Sequence, residues 1–182
     1  AARVLGVPPG AIAAALGGFT ATVADNPGRA NVFDLDGATV IIDFAHNPHG
    51  MTAIAAMAEA MPARRRIVLF GQAGDRGDDE IRTLARRVGA LGPAHVVATE
   101  IPKYLRGRKE GEIPGLIREE LLADGLAGDA ISIAPSPLDG VGAALDLAAA
   151  GDLLVLFVLD QREAAVALLA ERGAVPREAA AR

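Results

Sequence analysis

The chain has 182 residues, of which 51% are hydrophobic, carries a formal net charge of −5 and contains no cysteine. Its length allows one α/β domain with its own core, and the lack of cysteine excludes disulfides, thiolate metal sites and cysteine nucleophiles. The acidic balance and scarce aromatic residues argue against nucleic-acid binding, and the longest apolar run, residues 153–159, is too short to span a membrane. A cytoplasmic location is the simplest interpretation.

The N-terminal segment predicts a boundary between two structural units. Residues 1–19 have the pattern of two short helices interrupted at Val7-Pro8-Pro9-Gly10, and they begin within helical sequence, with no capping residue and no initiator methionine. Residues 20–29 are polar and contain Asp25-Asn26-Pro27-Gly28, a strong loop signal. We therefore expect residues 1–24 to be the end of a preceding domain and a linker.

A β-hairpin opens the main domain. Residues 32–35 and 39–43 have strand-like sequences, and Asp36-Gly37 between them supplies the positive φ angles of a tight turn. Strands and helices then alternate. We predict strands at 67–70, 95–99, 130–134 and 153–158, and helices at 48–60, 78–91, 113–124, 138–150 and 162–172.

The later strands are continuous apolar runs, which is typical of strands covered by helices on both faces. The order of elements therefore predicts a Rossmann-like α/β fold: a doubly wound, mostly parallel sheet with one antiparallel strand from the N-terminal hairpin. The tail, residues 175–182, is rich in Ala and Arg, and we expect it to be frayed.

The first candidate ligand segment, Asp43-Phe44-Ala45-His46-Asn47-Pro48, ends a strand and begins a helix. Asn47 is suited to be the N-cap of that helix, with Pro48 at the first helical position. Asp43 and His46 then lie at the carboxyl end of the strand, where open parallel sheets bind ligands, beside a helix N-terminus that favours anions. The alternative interpretation is that Asn47 only caps the helix and His46 is an ordinary loop histidine.

Two further segments follow later strands at the same edge. Gly71-Gln72-Ala73-Gly74-Asp75-Arg76-Gly77 contains glycines that allow a backbone to approach a ligand closely, but it matches neither a Walker loop nor a dinucleotide fingerprint. Lys103-Tyr104-Leu105-Arg106-Gly107-Arg108-Lys109 contains four cations. The simpler alternatives are a flexible loop for the first segment and a solvated surface for the second.

Other patterns are weaker. Arg64-Arg65-Arg66 precedes a strand, so it lies at the opposite edge of the sheet, and we expect it to be solvated and without a role. His46 and His49 are three residues apart but lack the partners of a metal site, and no Gly-x-Ser-x-Gly elbow is present. We therefore predict no metal site, no nucleophile and no general base in this chain.

Taken in order, three motifs resemble the C-terminal domain of the Mur ligase superfamily, which includes muramyl peptide ligases, folylpolyglutamate synthases and cyanophycin synthetases. They are Asn26-Pro27-Gly28-Arg29, the segment from Asp43 to Pro48, and Gly74-Asp75-Arg76. The resemblance covers nearly the whole chain.

Within the superfamily, Leu105-Arg106-Gly107-Arg108 and the segment 25–33 are similar to the Mur-like half of cyanophycin synthetases. Phe44 replaces the more usual tyrosine of its motif. Leu159-Asp160-Gln161-Arg162-Glu163 stands where muramyl ligases that add a diamino acid carry Gly-Lys-Gly-His-Glu.

The resemblance implies that residues 25–174 are the nucleotide-contacting domain of such a ligase and that residues 1–24 end its central ATPase domain. Ligases of this family phosphorylate a carboxylate with ATP, and an amine then attacks the acyl phosphate to give an amide, ADP and phosphate. The central domain supplies the phosphate-binding loop and the magnesium ligands. We therefore expect the isolated chain to be inactive, with ATP, an amino acid and an acidic peptide or polymer as partners of the whole enzyme.

The resemblance also assigns roles by position. It assigns nucleotide binding to Arg29, Asp43, His46 and Asn47. It assigns binding of the amino acid or the phosphates to Asp75 and Arg76, and binding of the acidic acceptor to Lys103, Arg106 and Arg108. In the acceptor loop, Gly107 is expected to let the two guanidinium groups on either side of it converge on carboxylates. The alternatives are a folylpolyglutamate synthase-like or muramyl peptide ligase domain and, in another class, a stand-alone nucleotide-binding or interaction module without catalysis.

Overall fold

The computed structural model describes residues 2–17, 22–23 and 26–177, and within these residues helices and strands alternate along the chain. The elements are α1 (Pro9–Gly17), β1 (Asn31–Leu35), β2 (Ala38–Asp43), α2 (Pro48–Glu59), β3 (Arg66–Phe70), α3 (Asp78–Gly89), β4 (His95–Thr99), α4 (Glu112–Ala123), β5 (Ile131–Ala134), α5 (Pro137–Asp146), β6 (Leu153–Phe157), α6 (Arg162–Glu171) and β7 (Val175–Pro176).

The strands form one sheet in the order β5-β4-β3-β6-β2-β1-β7. Neighbours from β5 to β2 are parallel, whereas β1 runs antiparallel to both β2 and β7. The predicted doubly wound, mostly parallel sheet with one antiparallel strand from the hairpin is therefore confirmed. The hairpin turn has φ values of 45° at Asp36 and 83° at Gly37, the positive angles of a type I′ turn.

Helices cover both faces of the sheet. α2, α3 and α4 pack on one face, and α5 and α6 pack on the other. The central strand β6 sends alternate side chains into the two cores, which explains its continuous apolar sequence. On the first face Phe157 meets Phe70 edge-on, with ring centroids 6.4 Å apart. The two cores fix the sheet, and the loops at its carboxyl edge are built on that rigid base.

Residues 2–17 contribute no residue to these two cores. Residues 2–6 form turns rather than the first of the two predicted helices, and α1 buries none of its residues. Pro8 disfavours a helical conformation at Val7, which stops a helix from running through this point. The linker prediction falls partly on residues outside the described ranges, and the boundary at residue 24 stays a prediction. No helix in the described part of the chain is long and apolar enough to cross a bilayer.

The start of the C-terminal tail corrects the expectation of fraying from residue 175. Val175 and Pro176 form β7 against β1, and the backbone N–H of Arg177 donates to the carbonyl of Val32 at 2.7 Å. The Arg177 guanidinium pairs with Asp34 and lowers the pKa of that carboxyl, chiefly through the side-chain hydrogen bond. The outer edge of β1 offers unpaired backbone groups, so a short extended segment is held there. Residues 178–182 lie outside the described ranges.

The amino edge of the sheet also departs from expectation, because Arg65 is not merely solvated. Its Nε donates to both carboxylate oxygens of Asp152 at 2.9 Å, and its Nη2 donates to Asp152 Oδ2 at 2.7 Å and to the carbonyl of Leu147 at 2.8 Å. Asp152 is buried and also accepts a hydrogen bond from the backbone N–H of Ala149. This fork ties the start of β3 to the turn before β6.

Candidate functional site

The loops after β2, β3, β4 and β6 meet at the carboxyl edge of the sheet, where an open parallel sheet normally binds its ligand. They enclose a cleft of about 530 Å³, called here the main cleft. Its lining includes Phe44 and His46 after β2, Gln72 after β3, Tyr104 and Arg106 after β4, and Leu159 after β6. A smaller cleft of about 310 Å³, the side cleft, shares Phe44, Tyr104 and Leu159 with it.

Phe44 lies between two arginines. The guanidinium carbon of Arg29 is 4.6 Å from the centroid of its ring, and that of Arg162 is 4.7 Å away. Both distances fall within the range of cation–π contacts. Arg162 lines the side cleft, and Gly28 fits against its stem, where an added Cβ would lie 3.1 Å from its Cδ. The ring thus holds two positive charges at the junction of the clefts.

Tyr104 carries a second pair of cations. Lys103 Nζ and the guanidinium carbon of Arg106 each lie 5.4 Å from the centroid of its ring. Lys103 also approaches Asp160 at 3.5 Å, and the charge of Asp160 raises the lysine pKa. Four cations therefore border two aromatic rings at this edge, and the arrangement favours a ligand with several negative charges.

The loop that carries Tyr104 is held by its neighbours. The buried carboxylate of Glu100 accepts hydrogen bonds from the backbone N–H groups of Ile101 at 3.2 Å and Gly111 at 2.6 Å, which closes the loop at both ends. The N–H of Gly74 donates to the carbonyl of Tyr104 at 2.8 Å. An added Cβ on Gly74 would lie 2.0 Å from the carbonyl oxygen of Leu105. Gly74 therefore allows close contact with another loop, where the sequence suggested close contact with a ligand.

Arg108 completes this attachment and corrects a prediction. Its Nε donates to the carbonyl of Gly74 at 3.0 Å, its Nη2 donates to the carbonyl of Arg76 at 2.6 Å, and its Nη1 pairs with Asp78 and Glu112 at 2.7 Å. The guanidinium groups of Arg106 and Arg108 therefore do not converge. Arg106 lines the main cleft, whereas Arg108 joins two loops, because it lies beside the carbonyls of Gly74 and Arg76 and beside one carboxylate at the start of α3 and one at the start of α4.

Asp43 is buried, and both its carboxylate oxygens are occupied. Oδ2 accepts a hydrogen bond from Ala30 N at 2.7 Å, and Oδ1 accepts one from Ala45 N at 2.5 Å. Ala30 has a φ of 50°, an uncommon value for a residue with a side chain. The carboxylate thus holds the backbone that carries Arg29 beside Phe44, and its contact with the nucleotide stays a prediction.

The two remaining residues of the first motif differ. His46 lines the main cleft, its Nδ1 is 3.0 Å from the carbonyl oxygen of Phe44, and its ring centroid is 5.0 Å from that of Phe44. Since a carbonyl only accepts, Nδ1 carries the proton of this hydrogen bond. Asn47 is the N-cap of α2 and accepts a hydrogen bond from Gly50 N at 2.9 Å. The alternative weighed for Asn47, a purely capping residue, matches this geometry.

Asp75 and Arg76 both line the main cleft, together with His46 of the residues assigned to the nucleotide and Arg106 of those assigned to the acceptor. Arg76 pairs with Glu80 of α3, which also lines it. Sequence reasoning missed Gln72 and Arg162 as site residues. Their positions in the sequence could have indicated both residues, because each follows a strand at the carboxyl edge of the sheet.

The site offers cations and aromatic faces, which are groups for binding and orienting a phosphorylated ligand. Among the described residues, no three His, Asp or Glu side chains gather in a way that would hold a metal ion. The described residues therefore do not by themselves offer the ligands of a magnesium site.

Comparison with known proteins gives relatives for the sequence. The family described as Mur ligase, glutamate ligase domain, matches residues 28–157. The chain is 30% identical to the cyanophycin synthetase of Nostoc sp. over 178 residues, which covers 92% of this chain and 18% of that protein. It is 29% identical over 124 residues to the UDP-N-acetylmuramoyl-L-alanyl-D-glutamate--2,6-diaminopimelate ligase of Brucella melitensis, covering 67% of this chain and 23% of that protein. The chain thus spans less than a fifth of the length of the Nostoc relative.

Solved structures share the fold. Escherichia coli FolC in complex with ADP superposes with a TM-score of 0.60 at 20% identity, over 81% of this chain and 32% of that one. The murein peptide ligase of Psychrobacter arcticus superposes with a TM-score of 0.58 at 20% identity, over 81% and 30%. Because the family match extends over residues 28–157, well over half of the chain, the chain belongs to the Mur ligase family through its glutamate ligase domain.

Proposed function

We propose that this chain is the C-terminal, nucleotide-contacting domain of an ATP-dependent amino-acid ligase of the cyanophycin synthetase type. The single observation that carries the proposal is the pair of aromatic rings, Phe44 and Tyr104, each bordered by two cations at the carboxyl edge of the sheet. The identity to the cyanophycin synthetase of Nostoc sp., which extends over 92% of this chain, supports the branch.

In such a ligase the chain would act by positioning. Guanidinium groups neutralise the charge of phosphates without exchanging protons, and Arg29 and Arg162 are available for this because neither has an ion-pair partner among the described residues. When bound, ATP would supply the phosphoryl group that activates a carboxylate. We propose that magnesium ligands come from a central domain of the same enzyme, since the residues described here form no such cluster. Closure of the two domains would exclude water from the reacting groups.

The roles follow from the contacts. Arg29, His46 and Arg162 would contact the nucleotide, and Asp43 and Asn47 would hold the loops that present them. Asp75 and Arg76 would lie next to the amino acid or the phosphates, and Arg106 would meet the acidic acceptor, with Lys103 at the entrance of the side cleft.

The phosphate-binding role predicts the effect of removing both arginines from Phe44. Replacing Arg29 and Arg162 by alanine should weaken binding of inorganic tripolyphosphate by about tenfold for each lost contact, because a hydrogen bond to a charged group contributes about 1.5 kcal/mol or more. Tyr104 is the sole tyrosine and the sequence has no tryptophan, so intrinsic fluorescence reports on the main cleft. Titration of the purified chain with tripolyphosphate, followed by calorimetry with ATP, measures the effect.

The matched control is Arg118→Ala, which removes an exposed arginine from α4, outside both clefts. This variant should bind tripolyphosphate like the unmodified chain. Equal binding by the control and the double variant would contradict the phosphate-binding role.

The acceptor role separates Arg106 from Arg108. Arg106→Ala should weaken binding of an aspartate oligomer at low salt and leave the melting temperature unchanged, because Arg106 makes no ion pair in the described part of the chain. Arg108→Ala should instead lower the free energy of unfolding by about 2 kcal/mol, since two carbonyls lose their donor. Titrations with the oligomer at low and high salt give its affinity, and thermal melts give the stability of each variant. A large loss of stability in Arg106→Ala, or none in Arg108→Ala, would reverse the assignment.

A further inference from the structure

Gln72 has a buried side-chain amide that the protein itself does not satisfy. The residue follows Gly71 at the end of β3 and is 1% exposed. Neither Nε2 nor Oε1 has a hydrogen-bond partner among the residues that the structure describes. Buried amides are almost always paired, because an unpaired donor or acceptor loses its bonds to water without replacement. Each exception therefore needs an explanation, and an amide suited to bind a ligand is one.

The position of Gln72 indicates where that ligand lies. Gln72 lines the main cleft, between Asp75 of its own loop and the loop that carries Arg106. A rotation of the side chain breaks no hydrogen bond, because the amide makes none. Turning to a molecule in the cleft would therefore cost the carboxamide no internal hydrogen bond, and there it would offer one donor and one acceptor side by side.

The charges around Gln72 restrict the kind of ligand. Of the ionic side chains that line the main cleft, Arg76 and Glu80 neutralise each other. Asp75 and Arg106 have no ion-pair partner among the described residues, so the cleft keeps one free negative and one free positive group. A polyphosphate complements only the positive group. A zwitterion with an amine beside a carboxylate complements both, and it also matches the donor and acceptor of a carboxamide.

We propose that Gln72 positions the free amino acid that the ligase adds, with Oε1 accepting from its α-amine and Nε2 donating to its α-carboxylate. Asp75 then pairs with the amine and Arg106 with the carboxylate, and the remaining N–H donors of Arg106 are left for the acceptor. This inference rests on the proposed function, because it names the residue that orients the attacking amine of that reaction. Gln72 acts by orientation alone and exchanges no proton.

The test uses Gln72→Met, which keeps the length of the side chain and removes the amide. If the amide has no partner inside the protein, the variant melts at the same temperature as the unmodified chain or higher, since an apolar group of similar shape suits a buried position. Binding of L-arginine and of L-glutamate, used as probes with opposite side-chain charges, should weaken at least about tenfold. Binding of tripolyphosphate should not change.

Nuclear magnetic resonance gives a direct signature in the unmodified chain. The sequence contains two glutamines, Gln72 and Gln161, so the Gln72 amide signal is assigned by its loss in Gln72→Met. Saturating L-arginine or L-glutamate should shift that signal, with the Gln161 signal as internal reference. N-acetyl-L-arginine, which lacks the amine, and agmatine, which lacks the carboxylate, should shift it much less.

Three results would overturn the inference. One is a Gln72→Met variant that is less stable than the unmodified chain, which reveals an internal partner for the amide. Another is unchanged amino-acid binding in that variant. The third is a Gln72 signal that no amino acid moves. If tripolyphosphate still binds in these cases, only this inference fails; if tripolyphosphate binds neither the unmodified chain nor the variant, the proposed function fails as well.

Discussion

Replacing Gly74 by alanine is expected to lower the free energy of unfolding by about 3 kcal/mol and to weaken binding of an aspartate oligomer at low salt. The added Cβ would lie 2.0 Å from the carbonyl oxygen and 2.8 Å from the carbonyl carbon of Leu105, and both atoms belong to backbone. No side-chain rotation relieves this overlap, so the two loops must separate. Their separation breaks the hydrogen bond from Gly74 N to Tyr104 O and displaces Arg106 from the main cleft.

Chemical denaturation and titration with the aspartate oligomer measure the two effects of Gly74→Ala. The control is Gly142→Ala, in α5, where an added Cβ meets no atom within 4 Å. That variant should bind the aspartate oligomer like the unmodified chain, and its free energy of unfolding should rise by up to about 1 kcal/mol, because alanine is the better helix former. A Gly74→Ala protein with unchanged stability and binding would show that the loops do not depend on this contact.

Replacing Arg65 by alanine is expected to lower the free energy of unfolding by about 2 kcal/mol at neutral pH. Its partner Asp152 is buried and would keep a charge without its guanidinium. Loss of one partner from a fully buried pair costs roughly 3–5 kcal/mol, and the smaller value here allows for the 42% exposure of the Arg65 side chain. Arg64→Ala is the matched control, because that neighbour is exposed and has no ion-pair partner among the described residues.

The loss of stability caused by Arg65→Ala should depend on pH. The hydrogen bond from Arg65 is the main cause that lowers the pKa of Asp152 from its ordinary value of 3.8. A carboxyl with a lowered pKa in the folded state stabilises the fold above its unfolded value, and this contribution is lost as the pH falls through the lower native value. The difference in free energy of unfolding between the unmodified chain and Arg65→Ala should therefore be largest at neutral pH and shrink below pH 3.8. A difference that stays constant into acid would exclude the ion pair as its source.

Local sequence patterns determined the order and type of elements in the main domain. Asp36-Gly37 specified the hairpin turn, because its two positive φ angles suit this residue pair. Continuous apolar runs marked β3 to β6 as strands buried on both faces, and their predicted bounds differ from the observed ones by a residue or so. Pattern failed at the end of α5, which stops at Asp146 although the helical sequence continues. There the N–H of Ala149 donates to Asp152, and the carbonyl of Leu147 accepts a hydrogen bond from Arg65. Both partners lie outside the helix, so these backbone groups do not continue the helical hydrogen bonds.

The sequence by itself also predicted that the candidate site lies at the carboxyl edge of the sheet, since parallel strands end together and the motifs follow those ends. It did not determine which side chains remain free there. Arg106 and Arg108 look alike in the sequence, but one lines the main cleft and the other is held by Gly74, Arg76 and Asp78. Partners separated by about 30 residues or more meet only when the sheet has formed, so the tertiary structure alone decided which polar groups are satisfied. The tertiary structure left the Gln72 amide unpaired and placed Arg162 beside Phe44, and a local sequence pattern specifies neither of these features.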